Sequence, residues 1–350
     1  MGMYRKKCLV IGATSFIGVY LVNELLARDY LVVATGRNLS FKRYFEDLGV
    51  EYYYLDLDHP NRLDSLPGDV DFVCHLAGRL PANSVFDLSR DDDSDRYIKT
   101  NVLGVISLLE WCRKQEIPRV ISTTSYADVQ NLWNASAPIK EDWPRSFKLY
   151  GDHAAYVISK NAASDFLTYY NKQYGMKNAI FRLPPVYGCG PHESLRVNGK
   201  VRKSGIGLFI DSAKKGQNIT VYGDAAHAIR DIVYVKDVAS AFINAGESSD
   251  ACGLYNIGSG KTVSLLEQAQ IIADVFAGSK ATKSVVKVDP SRENGIQSYS
   301  FCIKKAKEEI NYKPVYADFK KMMLDWKFEE ERGVLPRLFA EANACDGGGE

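Results

Sequence analysis

The chain has 350 residues, 46% of them apolar, and its 44 Lys and Arg offset 43 Asp and Glu to leave a formal charge of +1. Such a chain can bury the core of one large domain or of two closely joined ones, which excludes general disorder. Mixed charge without a broad basic field excludes nucleic acid and an anionic membrane as partners.

The first predicted elements are a strand at 8–11, a turn and a helix at 18–27. "YRKKCLVIGATSFIGVYLV" imitates a secretion signal, but Gly12, Thr14, Ser15 and Gly18 interrupt its apolar run and no small-residue cleavage site follows. A strand, a turn and a helix explain the stretch better. Nowhere does the chain reach the roughly 18 uninterrupted apolar residues of a membrane span. The turn "GATSFIG" carries Gly12 and Gly18, small enough for backbone N–H groups and the helix N-terminus to approach a pyrophosphate. Ser15 stands where the usual pattern has its middle glycine. A plain helix N-terminus is the competing reading.

The next strand, 31–35, runs into "ATGRN". No acid occupies 34–38, so the acceptor for the ribose 2′-OH that favours NAD is missing, whereas Arg37 suits the 2′-phosphate of NADP. The expected cofactor is therefore NADP(H), with NAD(H) as the alternative, and Arg37 can also stack on adenine or face water. A helix at 41–48 and a strand at 52–55 follow. Asp56, in "YLDLD", can accept from the adenine amino group or simply end a turn. Strands at 72–75, 120–123 and 178–183, with helices at 97–114 and 153–174, complete the βα alternation. That pattern specifies the α/β class: a Rossmann-type, doubly wound parallel sheet with helices on both faces.

Beyond Pro184 the periodicity loosens into turns and short elements, as a smaller C-terminal α/β substrate domain over the sheet's carboxyl edge requires. On this reading the dinucleotide-binding domain is 1–183 plus a returning segment near 232–258. The substrate-binding domain is 184–231 and 259–340, and 341–350 is a loose tail. Arg196, Lys200, Arg202 and Lys203 form a basic loop, either solvated or ordered by a nucleotide diphosphate. Seven scattered cysteines with no metal-ligand spacing point to a reducing compartment, read as the cytoplasm, and to no metal site.

Tyr156 and Lys160 fall one turn apart on one face of the helix at 153–174. With 21 Tyr in the chain, about one or two such pairs arise by chance, so the pair needs independent support. It comes from an ordered set of motifs: "GATSFIG", "DLD", "HLAG" (75–78), "NVLG" (101–104), "STTS", "YVISK", "RLPPVYG", "RDIVYV" and "NIGSG". In this set, spanning residues 8–260, the chain resembles the extended short-chain dehydrogenase/reductases, the nucleotide-sugar epimerases, dehydratases and ketoreductases. The resemblance implies that Tyr156 exchanges a proton with a sugar hydroxyl or carbonyl, that Lys160 together with an oxidised nicotinamide ring favours the phenolate, and that Lys160 holds the nicotinamide ribose. It makes Thr123, with Thr124 as nearest substitute, the hydroxyl that bonds the reacting oxygen. It further implies cofactor contacts from Gly12, Thr14, Ser15, Phe16, Ile17, Gly18, Arg37, Asp56, Leu57, Leu76, Ala77, Gly78, Asn101, Leu183 and Val186. Arg230 would bind the substrate diphosphate or else pair with Asp231, and Ser125 and Pro185 would face the sugar.

Three departures bear on the substrate, a nucleotide-diphosphate sugar. Pro185 replaces an Asn that commonly contacts the sugar diphosphate, and Pro offers neither an amide nor a backbone donor. "YAD" at 126–128 replaces the usual "VYG". Thr124 and Ser125 stand where dehydratases carry an Asp-Glu pair, which argues against 4,6-dehydration. The leading expectation is NADPH-dependent reduction of a 4-keto-6-deoxy sugar nucleotide. The alternatives are a UDP-hexose 4-epimerase (glucose/galactose or N-acetyl form) with tightly bound NAD, a non-sugar carbonyl reductase, and a non-catalytic NADP(H)-binding sensor. Retention of Tyr156, Lys160 and Thr123 argues against the sensor. The resemblance also implies a homodimer through the two long helices, whose outward faces would include Val102, Ile106, Phe166 and Tyr169.

Overall fold

The computed structural model describes residues 5–81, 94–151, 153–197, 200–278 and 283–346. In the first half, strands and helices alternate: β1 (Lys7–Ile11), α1 (Phe16–Ala27), β2 (Leu31–Gly36), α2 (Lys42–Asp47), β3 (Glu51–Tyr54) and β4 (Phe72–His75). A long helix over 94–114, α3, follows, then β5 (Val120–Ser125), α4 (Ala154–Tyr174) and β6 (Ala179–Leu183). Later come α5 (Gly205–Lys214), α6 (Val235–Glu247), β7 (Gly253–Asn256), α7 (Leu265–Val275), α8 (Phe319–Arg332) and α9 (Val334–Asp346). The stretch that imitates a secretion signal is thus β1, a turn and α1.

Seven strands pair in the order β7-β6-β5-β4-β1-β2-β3, every pair parallel. The chain builds outward from β1 to β3, then crosses to β4 and builds the other way. The carboxyl ends of β1 and β4 therefore flank the switch point, where an open α/β sheet leaves its crevice. Alternation along each strand sends one set of side chains to each helical layer. Cys8 and Val10 pack with Val19, Val22 and Leu25 of α1 and with Phe242 of α6. Leu9 and Ile11 pack with Leu108, Leu109 and Trp111 of α3 and with Leu167 and Tyr170 of α4. Each fully buried Leu, Val or Phe contributes roughly 1.5–3 kcal/mol, which is why strands covered on both faces are almost wholly apolar.

The later elements share this core: Ile210, Ile272, Met322, Trp326 and Phe339 belong to the same buried cluster as β1 and α1. Strand β7 joins the sheet beside β6, and α6 lies against α1. One expectation needs correction. The segment 341–350 was expected to be a loose tail, yet α9 continues to Asp346, and only 347–350 lie outside the described residues. Leu335, Leu338, Phe339 and Ala342 recur at helical spacing and are all buried, which is the physical reason this segment holds its place. The helix packs on the 39–41 turn after β2, on the Pro191–Glu193 turn and on α8. A second correction concerns the outward faces of the long helices. Val102 is buried, and the exposed large apolar residues there are Ile98, Leu103, Ile158, Phe166, Tyr169 and Tyr174.

At the carboxyl end of the sheet a buried ion pair joins the turn after β5 to β6. Arg182 Nε lies 2.9 Å from Asp128 Oδ1, with side-chain exposures of 1% and 2%. Arg182 also donates to Asn256 Oδ1 at 3.1 Å, and Asn256 Nδ2 donates to the carbonyls of Ile139 and Cys302. Asp128, the last residue of "YAD", is thus an anchor for three segments rather than part of the cleft wall. Replacing Asp128 by Ala leaves Arg182 buried and unpaired, and should cost about 3–5 kcal/mol in urea unfolding. The double variant Asp128→Ala/Arg182→Met should recover part of that loss. A loss under about 1 kcal/mol would show that water or Asn256 suffices for Arg182.

Candidate active site

The cleft at the switch point has a volume of ≈ 1320 Å³. It begins where β1 turns into α1. Gly12 has φ +86, and a Cβ there would sit 2.5 Å from the backbone nitrogen of Ala77, so only glycine fits. A Cβ on Gly18 would fall on the Gly12 carbonyl oxygen. Ser15, in place of a middle glycine, has φ −75 and needs no glycine. It is the N-cap of α1, its hydroxyl accepting from Gly18 N at 3.1 Å. A cap of this kind stabilises a helix by about 1 kcal/mol. Thr14, Ser15, Phe16 and Ile17 line the cleft around this cradle. A backbone stripped of Cβ atoms at the start of a helix fits a pyrophosphate, whose charge the helix N-terminus favours.

From the cradle the cleft runs two ways. Toward β2 and β3 it is lined by Arg37, Asn38, Asp56 and Leu57. Arg37 is exposed and forms no ion pair among the described residues, so its guanidinium is free for a ligand. Asp56 accepts from Asp58 N at 3.1 Å, the turn role foreseen for it, and still faces the cleft. Phe339 and Ala342 of α9 complete this end, and nothing in the motif reading pointed to them.

Toward β5 and α4 the walls are Leu76, Ala77 and Gly78, then Thr123, Thr124, Ser125, Tyr156, Leu183, Pro185 and Val186. Lys160 sits one helical turn behind Tyr156 and is 7% exposed, its ammonium 3.4 Å from Thr123 Oγ1. Burial pushes its pKa down to about 8. Burial also pushes the Tyr156 phenol above its ordinary value, helped by Tyr97 and Tyr126. In the ligand-free chain the phenol stands high because it is desolvated and the ammonium is turned to Thr123, whereas the lowering expected from Lys160 together with an oxidised nicotinamide ring concerns the cofactor-bound site. Thr124 has a buried hydroxyl with no partner among the described residues.

Asn101 lies behind the wall rather than in it. The helix widens to a π turn over Ile98–Leu103, and there the Asn101 amide accepts from Arg79 N at 2.7 Å and donates to Arg79 O at 3.1 Å. It also donates to Ser159 Oγ at 3.0 Å, on the catalytic helix. His75, read only as part of a motif, has its Nδ1 2.9 Å from Ser122 Oγ and a buried Nε2 without a partner among the described residues. Burial, with the Lys160 charge nearby, lowers it to about 3 and keeps it neutral.

Arg230 lines an adjoining pocket of ≈ 370 Å³ that shares Tyr126, Gln130, Trp133 and Lys148 with the main cleft. Asp231 does not pair with it. That carboxylate accepts from Ser259 N and Oγ, both at 3.0 Å, and burial pushes it up to about 7. Arg230 Nε is buried without a partner among the described residues. Tyr126, Trp133 and Tyr299 form an aromatic wall with ring centroids 4.9–5.3 Å apart. Sequence spacing could not find it, since Tyr299 lies far along the chain. Lys203 of the basic loop pairs with Asp211 at 2.6 Å, and among the described residues that loop adds nothing to either lining. The sole carboxylate among the described cleft residues is Asp56, at the far end from Tyr156. Among the described residues, no group of acids, His or Cys could hold a metal ion, and no helix is long and apolar enough to cross a membrane.

A family model described as "NAD dependent epimerase/dehydratase family" matches residues 8–258. A "Putative UDP-glucose 4-epimerase" from Methanocaldococcus jannaschii is 30% identical over 312 residues, covering 87% of this chain and 92% of the relative. UDP-glucuronic acid decarboxylase 1 from Arabidopsis thaliana is 26% identical, over 90% of this chain and 67% of the relative. Among solved structures, a UDP-glucose 4-epimerase of Thermus thermophilus in complex with NAD superposes with TM-score 0.71 and 24% identity, over 94% of this chain and 99% of that one.

Lys160 gives this site a stability signature. Folded, it holds its proton below about pH 8, against 10.5 ordinarily, so the buried charge exerts its full cost at pH 7. Between those values the unfolded chain binds more protons, and stability rises with pH. Lys160→Met should therefore raise the ligand-free unfolding free energy at pH 7 by on the order of 2 kcal/mol, the gain shrinking toward pH 10. A less stable variant in urea titrations would show that the Thr123 contact outweighs desolvation.

Proposed function

The chain belongs to the NAD dependent epimerase/dehydratase family, and from that premise we propose that it is a nucleotide-sugar 4-epimerase, acting on a UDP-hexose with NAD held in the cleft. The observation that carries this reading is the make-up of the catalytic end. It holds a phenol, three hydroxyls and a buried ammonium, but no carboxylate among the described residues. Removal and return of hydrogen at one carbinol carbon needs only such groups. Elimination of water would need a further acid and base beside that carbon, and the described residues place no pair of carboxyl groups there. The resemblance to the archaeal epimerase over most of both chains favours the same reading.

When bound, the dinucleotide supplies the hydride chemistry and a positively charged ring. The chain's own residues do the rest. The Gly12–Gly18 turn receives the pyrophosphate, and Leu76 to Gly78 with Leu183 and Val186 form the walls toward the nicotinamide end. Thr123 bonds the C4 oxygen, and Tyr156 takes the C4 hydroxyl proton and returns it. Lys160 holds a positive charge behind them. Arg230, with a free guanidinium edge, meets the substrate diphosphate. The exposed apolar face of α3 and α4 would pair two copies of the chain.

Arg37 carries a second reading. Free, exposed and at the ribose end of the cleft, it suits a 2′-phosphate and hence NADPH-dependent reduction of a 4-keto-6-deoxy sugar nucleotide. Two measurements separate the readings. Denaturing the purified protein should release about one NAD per chain, and UDP-glucose should convert to a mixture with UDP-galactose, or the N-acetyl pair should interconvert, with no cofactor added. An empty protein that consumes NADPH only with a 4-ketosugar would overturn the epimerase. Tyr156→Phe should lower kcat by about 10²–10⁴-fold while the dinucleotide stays bound.

A further inference from the structure

The last helix, α9, reaches across the mouth of the cleft. On one side it meets the loop after β2: the Phe339 and Phe41 rings lie 6.0 Å apart edge to face, and Asn38 Nδ2 donates to the Ala342 carbonyl at 3.4 Å. On the other side it packs against the Pro191–Glu193 turn. That turn is fixed over the cradle, because Tyr20 of α1 donates to the Cys189 carbonyl at 2.8 Å and Gly190 lies against the Phe16 ring. Between these two anchors, Phe339 and Ala342 face the cleft, together with Pro191 and Phe41. The helix is thus anchored to both banks of the channel that a dinucleotide would fill.

We propose that α9 is a strap over the cofactor site, which walls its adenosine end and retains a bound dinucleotide between turnovers. The inference rests on the reading of the cleft as a dinucleotide site. Its physical basis is the apolar seam. Leu335, Leu338, Phe339 and Ala342 are each less than a tenth exposed, so lifting the helix to release a ligand exposes all four. An enzyme that takes hydrogen from one face of a carbon and returns it to the other gains from such retention, since losing the cofactor midway strands the oxidised sugar.

Two experiments on the full chain test this. Hydrogen exchange with and without NADH should show backbone amides of 335–342 protected at least tenfold more when the dinucleotide is bound. In Phe339→Ala, with folding verified by its melting curve, NADH followed by its fluorescence should dissociate at least tenfold faster than from the unaltered chain. Unchanged protection together with an unchanged dissociation rate would overturn the strap while leaving the dinucleotide site intact. If the unaltered chain binds neither NADH nor NADPH, the cofactor reading itself falls.

Discussion

The cleft depends on how closely two turns approach each other: the one after β1 and the one after β4. Ile11 O accepts from both Leu76 N and Ala77 N, at 2.8 and 3.0 Å, and Gly12 has no room for a side chain against Ala77. From there the contact continues. Gly78 leads to Arg79, whose backbone is bonded both ways by the Asn101 amide, and Asn101 reaches Ser159 on α4. Ser159 Oγ in turn donates to the Tyr156 carbonyl at 2.7 Å. A continuous set of short contacts therefore links the floor of the cradle to the residue proposed to move the proton. The π turn in α3 matters because it points Asn101 into that line, and a regular helix would have to place it differently.

This bracing supports groups that are unfavourable in themselves. Lys160 is charged and almost fully buried, and Tyr156 is desolvated enough that its phenol holds its proton more tightly than in water. His75 stays neutral beside them and so adds no second positive charge to the pocket. The ligand-free site thus holds a buried positive charge that a nearby anion can relieve. Sites of this kind are held by the scaffold around them, here the apolar layers on both faces of the sheet.

What could be read from the sequence follows from this division. Fully buried strands are contiguous apolar runs, so β1, β2, β4, β5 and β6 were visible within a residue or two. The glycines were visible too, because their need is local. Asn101 could be named from its motif but not placed, since its position depends on a helix defect that no periodicity reports. The raised pKa of Tyr156 in the ligand-free chain comes from burial, which depends on tertiary packing and which the Tyr–Lys spacing does not report. The order of α9 was legible in principle from Leu335, Leu338, Phe339 and Ala342, but nothing local says that its partner is the loop after β2.

The substrate side shows the same rule most clearly. Pro185 was expected to disturb sugar contacts by lacking an amide and a donor. In the structure its carbonyl accepts from Val233 N at 3.1 Å and so joins the end of β6 to the segment that carries Arg230. The position thus has a bracing role as well as a place in the cleft wall, and more polar and aromatic groups stand on the facing wall. There Tyr126 and Trp133 come from the turn after β5, Tyr299 from a distant segment, and Arg230 from a short strand paired with Thr262–Ser264. Aromatic faces flanking a free guanidinium edge suit a flat or ring-shaped group bearing negative charge, as a nucleotide or sugar diphosphate does. Because this wall is assembled from three separate stretches, its shape is set by tertiary packing rather than by any single motif.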